Sequence, residues 1–230
     1  MATIAIASNF GDVARHLVEE FESTSDHDVT LVTGASGRFY AQISNGAPFD
    51  AFLSADSEKP AELIETGLAL SDSVFTYAIG RLALWSRDET LIQDDATALS
   101  MDGSHKIAYA NPRLAPYGKA ALEVIKALSL LNVLEGKLVQ GENIAQTYQF
   151  VFTGNADLGF VALSQILQGG TLGPGSAWVI PKSLHSPIRQ NAVLLARARD
   201  NLAANEFMRF LKMPASRSII RSYGYETGDS

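Results

Sequence analysis

Short apolar runs alternate with helical patterns from the first residues onward, and no other feature of the sequence limits the fold as strongly. "TIAIA" (3–7) reads as a buried strand, and "DVARHLVEEF" (12–21) sets Val13, Leu17 and Phe21 on one helical stripe. "VTLV" (29–32) is the next strand, and "RFYAQISNG" (38–46) is a helix stopped by Gly46. "DAFLSA" (50–55) is a third strand. "SEKPAELIETG" (57–67) is a helix with Pro60 in its first turn, where a missing N–H is tolerated. A βαβαβα series builds a mainly parallel sheet covered by helices on both faces.

The pattern then changes. "SVFTYAIGRLALWSR" (73–87) is extended throughout and too long for a single strand of about five or six residues. A chain passing from one domain into another reads this way. Alternation resumes with strand "KIAYA" (106–110), helix "GKAALEVIKAL" (118–128), strand "KLVQ" (137–140), helix "IAQTYQFVF" (144–152), and strands "LGFVA" (158–162) and "SAWVIP" (176–181). "PIRQNAVLLAR" (187–197) is a second long extended run, followed by helices "NLAANEFMRFLK" (201–212) and "ASRSIIRSYG" (215–224). Two crossing runs predict an α/β chain of two lobes, each a mainly parallel sheet flanked by helices. The first lobe is discontinuous (1–78 plus 191–230), the second is 79–190, and a ligand cleft is expected between them.

Composition removes several function classes. The chain has 230 residues, 47 % of them hydrophobic and 19 % charged, which suits a globular protein with a substantial core. No apolar run approaches the ~20 residues of a membrane-spanning helix. The net charge of −7 with scattered basic residues argues against a nucleic-acid surface. Without cysteine there is no disulfide, thiolate metal site or Cys nucleophile. "MATIAIASNF" enters a strand pattern at once, and Met1-Ala2 fits a start that replaces a removed leader. On the letters alone, a cytoplasmic protein and a processed exported one read alike.

In open α/β sheets, ligands bind beyond the carboxyl ends of strands, beside helix N-termini. Four turns qualify: Ser8-Asn9-Phe10-Gly11, Gly34-Ala35-Ser36-Gly37, Asn111 to Gly118, and Gly141-Glu142-Asn143-Ile144. They offer hydroxyls, amides and backbone N–H groups, and each helix start adds up to four unpaired donors and partial positive charge. Taken singly, each turn reads first as capping. Two in each expected lobe together suggest a cage of donors suited to an oxyanion. Arg113 and Lys119 have the look of anion clamps or of ordinary surface charges, and Tyr117 that of a packed aromatic. Other sites fare worse. The second turn lacks the Gly-Lys-Ser/Thr ending of a P-loop, the first lacks Gly-x-Gly-x-x-Gly, and Gly-x-Ser-x-Gly is absent. His16, His27, His105 and His185 lack metal-ligand spacing. His16 is expected on an exposed helix face, Glu19 and Glu20 on its solvated side, and Asp94-Asp95 in a polar loop.

With these residues in view, the chain resembles the periplasmic molybdate-binding proteins of ABC importers. The likeness rests on "IAIASNFGDVARHLVEEFE", "TGASGRFYAQISNGAPFDAFLSAD", "YANPRLAPYGKAALEVI", "GENIAQTYQFVFTGNADLGFVALSQI" and the tail "FMRFLKMPASRSIIRSYGY". The resemblance implies a two-lobed type II binding-protein fold. It implies ligand contacts at Ser8, Asn9, Ser36, Tyr117 and Ile144, with hydroxyls from Ser8 and Ser36 and backbone N–H groups from Asn9, Ser36, Tyr117 and Ile144. Molybdenum would be held only as the oxyanion, without direct protein ligands.

One run departs from the better-known family pattern. There a tyrosine follows "Gly-aliphatic-Val"; here the run is Gly159-Phe160-Val161-Ala162, without a hydroxyl. A second branch lacks that tyrosine and carries "Pro-Tyr-Gly" at the third turn, as Pro116-Tyr117-Gly118 does. The resemblance further implies a monomeric, extracytoplasmic protein without cofactor or enzymatic activity, which takes molybdate or tungstate to an ABC permease. Binding of sulfate or another oxyanion, or an oxyanion-sensing module in the cytoplasm, are the alternatives.

Overall fold

The computed structural model describes residues 1–93, 95–101 and 105–228, and the chain divides into two compact units, residues 1–79 with 189–230 and residues 80–188. In the first unit, β1 (Ala2–Ala7) precedes α1 (Gly11–Thr24), β2 (Val29–Gly34) precedes α2 (Ser36–Ser44), and β3 (Ala51–Leu53) precedes α3 (Glu58–Glu65). β4 (Phe75–Gly80) carries the chain out of that unit. The second unit contains β5 (Leu82–Ser86), α4 (Thr97–Ser100), β6 (Ile107–Ala110), α5 (Pro116–Ala127), β7 (Leu138–Gly141), α6 (Ile144–Phe152), β8 (Leu158–Ala162), β9 (Leu167–Gln168), β10 (Thr171–Leu172) and β11 (Ser176–Val179). β12 (Ile188–Leu194) returns to the first unit, which α7 (Leu202–Phe210) and α8 (Pro214–Ser222) complete. The long run 73–87 is therefore two strands, broken at Arg81.

The first sheet has the order β2-β1-β3-β12-β4. β1 pairs in parallel with β2 and β3, and β12 is antiparallel to β3. The second sheet has the order β11-β5-β8-β6-β7. β6 is parallel to β7 and β8, while β5 runs against both β8 and β11. Among its strands only β5 is reversed, so the α/β, mainly parallel reading of this sheet holds.

Both faces of the first sheet are buried, as crossover helices require. Ile4 and Ile6 face Val13, Leu17 and Phe21 of α1, Phe207 and Met208 of α7, and Ile220 of α8. Ala5, between them on β1, faces the other way, toward Phe39 and Ile43 of α2 and Leu63 of α3. This is the period-two alternation of a strand feeding the 3.6-residue period of flanking helices. In the second unit Ala83, Trp85, Ala108 and Val161 pack with Val151 of α6.

The ends of the elements bear on function. β2 extends through Gly34 and α2 begins at Ser36, so Ser36 is a first-turn helical residue rather than part of a loop. Likewise α5 begins at Pro116, not at Gly118, which puts Tyr117 second in the helix. Gly118 allows this close start. A Cβ there would lie 2.1 Å from the Ala110 carbonyl oxygen at the end of β6. His16 is half-buried on α1, with its Nδ1 3.4 Å from the Tyr223 hydroxyl, because α8 packs beside that face. Glu19 and Glu20 are exposed. Asp95 accepts the Thr97 amide at 2.8 Å, and bonds from Thr97 hold its carboxyl below the usual range; Asp94 lies outside the described residues.

Gly118→Ala should destabilise the protein by about 1–3 kcal/mol, because backbone rather than a flexible side chain blocks the added methyl group. Chemical denaturation measures this, and an unchanged midpoint would contradict the packing described.

Candidate functional site

In the first unit, parallel pairing brings two turns side by side. Ala7 is in register with Gly34 at the carboxyl ends of β1 and β2. Ser8 and Asn9 therefore leave the sheet next to Ala35 and Ser36. Ser36 is 1 % exposed. Its hydroxyl oxygen accepts the Ala55 N–H at 3.0 Å, and among the described residues no acceptor takes its own hydrogen. A hydroxyl in that state has its hydrogen available to an acceptor that approaches it. The N–H groups of Ser36 and Gly37, in the first turn of α2, find no protein acceptor among the described residues. Helix geometry leaves such groups without intrahelical partners. The Ser8 hydroxyl, half-buried, has no protein partner among the described residues either.

The Asn9 side chain is engaged within the protein. Its Nδ2 donates to Gln190 Oε1 at 2.8 Å and to the Tyr225 hydroxyl at 2.9 Å, and that hydroxyl donates to the Asn9 carbonyl at 2.8 Å. Gln190 Oε1 also accepts the Tyr77 hydroxyl at 3.1 Å, which reaches the Ser54 carbonyl at the same distance. All four side chains are buried. A buried polar network in which each group has partners fixes the turn it surrounds. Burial pushes the Tyr77 phenol well above its ordinary value of 10.0, with Tyr225 and then Asp56 adding to the effect.

The acidic stretch "APFDAFLSAD" (47–56) frames this turn. Asp50 accepts the Thr3 amide at 2.8 Å and the Arg197 guanidinium at 3.2 Å, tying β3 to the start of β1. Asp56 accepts the Lys59 amide at 3.1 Å and the Ser54 hydroxyl at 3.1 Å, holding the entry to α3. Between them, Ala55 presents its N–H to Ser36.

In the second unit, Pro116 occupies the first position of α5 and has no N–H, so the first amide of that helix belongs to Tyr117. Tyr117 is buried. Ahead of it, Asn111 N–H donates to Gly141 O at 2.7 Å, joining the ends of β6 and β7. At α6, the Asn143 side chain caps the helix by accepting the Gln146 N–H at 2.9 Å, and Gln146 Oε1 in turn accepts the Glu142 N–H at 2.6 Å. This leaves the Ile144 and Ala145 amides of the first turn with no protein acceptor among the described residues. Ala162 is buried at the end of β8. Its N–H donates to Gln165 Oε1 at 2.9 Å, and Gln165 Nε2 donates to Ile144 O at 3.2 Å.

The donors are thus hydroxyl and amide hydrogens. Arg113 and Lys119 are exposed. Among the described residues, no group of three or more His, Asp or Glu side chains could hold a metal ion, and no helix is long and apolar enough to cross a membrane. Ser8, Asn9 and Ser36 gather in the first unit; Tyr117 and Ile144 stand at neighbouring strand ends in the second. The sequence did not single out Ala55, Gln190, Tyr77 or Gln165, which hold these turns in place.

Comparison with known proteins follows the same lines. The profile of the bacterial extracellular solute-binding protein family matches residues 2–226. The molybdate-binding protein ModA of Rhodobacter capsulatus is 46 % identical over 223 residues, covering 97 % of this chain and 87 % of that one. ModA of Azotobacter vinelandii is 44 % identical over 222 residues, covering 96 % and 88 %. The solved structure of the Azotobacter vinelandii periplasmic molybdate-binding protein superposes with a TM-score of 0.97 at 38 % identity, covering all of both chains.

The Tyr77 network gives a pH test. Its folded-state pKa lies above the unfolded value, so its contribution is whole below pH 10.0 and is lost as pH rises through the folded pKa. Tyr77→Phe should cost about 1–2 kcal/mol at pH 7 by removing the one hydroxyl hydrogen that Gln190 Oε1 and the Ser54 carbonyl share. The gap between wild type and variant should narrow above pH 10.0. Denaturation series from pH 7 to about 11 measure it; a constant gap would contradict the assignment.

Proposed function

Because the chain belongs to the bacterial extracellular solute-binding protein family, we propose that it captures molybdate or tungstate outside the cytoplasm and delivers the anion to an ABC permease in the membrane. The relatives named for molybdate, matched over nearly the whole chain, support the choice of ligand. The observation that carries the chemistry is the buried Ser36 hydroxyl, which accepts from Ala55 and whose own hydrogen has no acceptor among the described residues.

In this reading the anion is shared by both units. Ser8 and Ser36 donate hydroxyls, and Asn9, Ser36, Tyr117 and Ile144 donate backbone N–H groups. The metal is bound only as its oxyanion, with no resident cofactor and no chemical step. The protein acts as a monomer, and closing of the two units over the anion gives the form that the permease recognises.

A buried dianion is tolerated only where its oxygens are fully hydrogen-bonded. A bond to a charged group contributes about 1.5–3 kcal/mol net. About six such bonds, offset by dehydration and closure, leave about 8–11 kcal/mol, a micromolar to sub-micromolar affinity. Helix N-termini supply positive potential without the bulk of Arg or Lys, and fixed donors need no reorganisation.

Selectivity follows from having donors alone. Phosphate carries a proton near neutral pH, and a cage without acceptors leaves that proton unpaired at a cost of about 1–3 kcal/mol. Sulfate is unprotonated but smaller, so it cannot reach every donor together.

Calorimetric titration with molybdate, tungstate, sulfate and phosphate tests the proposal. Molybdate and tungstate should bind tightest and raise the melting temperature far more than the other two; equal shifts for all four would defeat the selectivity argument. Ser36→Ala should weaken molybdate binding by about 1–3 kcal/mol, and an unaltered affinity would locate the anion elsewhere.

A further inference from the structure

Ala162 closes β8, and its backbone N–H is held by a side chain three residues on. Gln165 stands in the short 3-10 turn Leu163–Gln165 directly after β8. Its carboxamide is used at both ends: Oε1 accepts the Ala162 N–H at 2.9 Å, and Nε2 donates to the Ile144 carbonyl at 3.2 Å. One neighbour is a donor and the other an acceptor, so only one orientation of the amide satisfies both.

The bond to Ile144 has a particular consequence. The Ile144 carbonyl and the Ala145 N–H belong to one peptide unit. A donor on that carbonyl polarises the unit and makes its N–H a stronger donor, the cooperativity expected along chains of hydrogen bonds. The Ala145 N–H is one of the two first-turn amides of α6 that lack a protein acceptor among the described residues. The Asn143 cap secures the turn along the helix axis by holding Gln146. Gln165 ties the same turn sideways to the end of β8.

We propose that Gln165 is a positioning residue: it locks the first turn of α6 against the end of β8, which sets the aim of the Ile144 N–H toward the anion and strengthens the adjacent Ala145 N–H as a further donor in the same turn. This rests on the oxyanion reading of the site. The side chain itself touches no ligand in this account.

The test uses Gln165→Met, which keeps length without polarity, and Gln165→Glu, which keeps an acceptor for Ala162 N–H and loses the donor to Ile144. The readouts are molybdate affinity by calorimetry, the melting temperature of ligand-free protein, and the Ala145 amide proton resonance. Both variants should bind molybdate about fivefold to tenfold more weakly, the equivalent of one hydrogen bond. Ligand-free, the Met variant should melt below wild type because the buried Ala162 N–H loses its acceptor, the Glu variant, which keeps that acceptor, should melt closer to wild type, and the Ala145 amide proton should move upfield in both before any ligand is added. Wild-type affinity in the Met variant, or an unmoved Ala145 resonance, would each overturn the proposal. Failure of the wild-type protein to bind any oxyanion would instead defeat the reading of the function. The Ala145 resonance would then still decide whether Gln165 holds that peptide.

Discussion

The hydrogen bond from the Ala55 amide to the Ser36 hydroxyl is the contact on which the account of this protein depends. It fixes a buried hydroxyl through one lone pair of its oxygen, and nothing among the described residues receives that hydroxyl's hydrogen. The placement of β3 and its flanking residues makes that bond possible. β3 has to lie beside β1 so that Ala55 leaves the sheet near Ser36, and Asp50 fixes β3 by bonding Thr3 at the other end of β1. Asp56 and Ser54 then shape the exit toward α3. The two aspartates of this stretch thus hold the turn around Ala55 in place.

The two units arrive at similar chemistry by different means. In the first, side-chain networks surround a turn, and Tyr77, Gln190 and Tyr225 immobilise Asn9 from inside the fold. In the second, the devices belong to helix starts: Pro116 and Gly118 set how α5 meets β6, and Asn143, Gln146 and Gln165 set how α6 meets β7 and β8. Each arrangement spends polar side chains on positioning and keeps backbone hydrogens for presentation. Donors held this way need no rearrangement when an anion arrives, which is the condition for tight binding without formal positive charge.

Much of the architecture was legible in the letters. Val13, Leu17 and Phe21 form a buried stripe on α1, and the run around Arg81 divides into two strands of ordinary length. These features follow from hydrophobic period, which is local. What the letters hid depends on distance in sequence. Gln190 sits within an extended run and looks like any outward-facing polar residue, yet it is buried because Asn9 and Tyr77, far away in sequence, reach it. Helix starts were also misjudged by about two residues at Ser36 and Tyr117, the ordinary uncertainty of boundaries; both belong to their helices. Turn composition alone suggested helix capping at these places as readily as ligand contact. Side-chain bonds separate the two roles: Asn143 caps its helix, whereas the Ser36 hydroxyl caps nothing in α2.

The most direct measurement is a crystal structure of the protein with molybdate, with anomalous data collected at the molybdenum absorption edge. The account predicts a single strong peak placed so that the anion's oxygens lie within hydrogen-bonding distance of the Ser36 hydroxyl and the Ile144 N–H together, with no carboxylate among the contacts. A peak elsewhere, or one bound directly by Asp or Glu side chains, would contradict it.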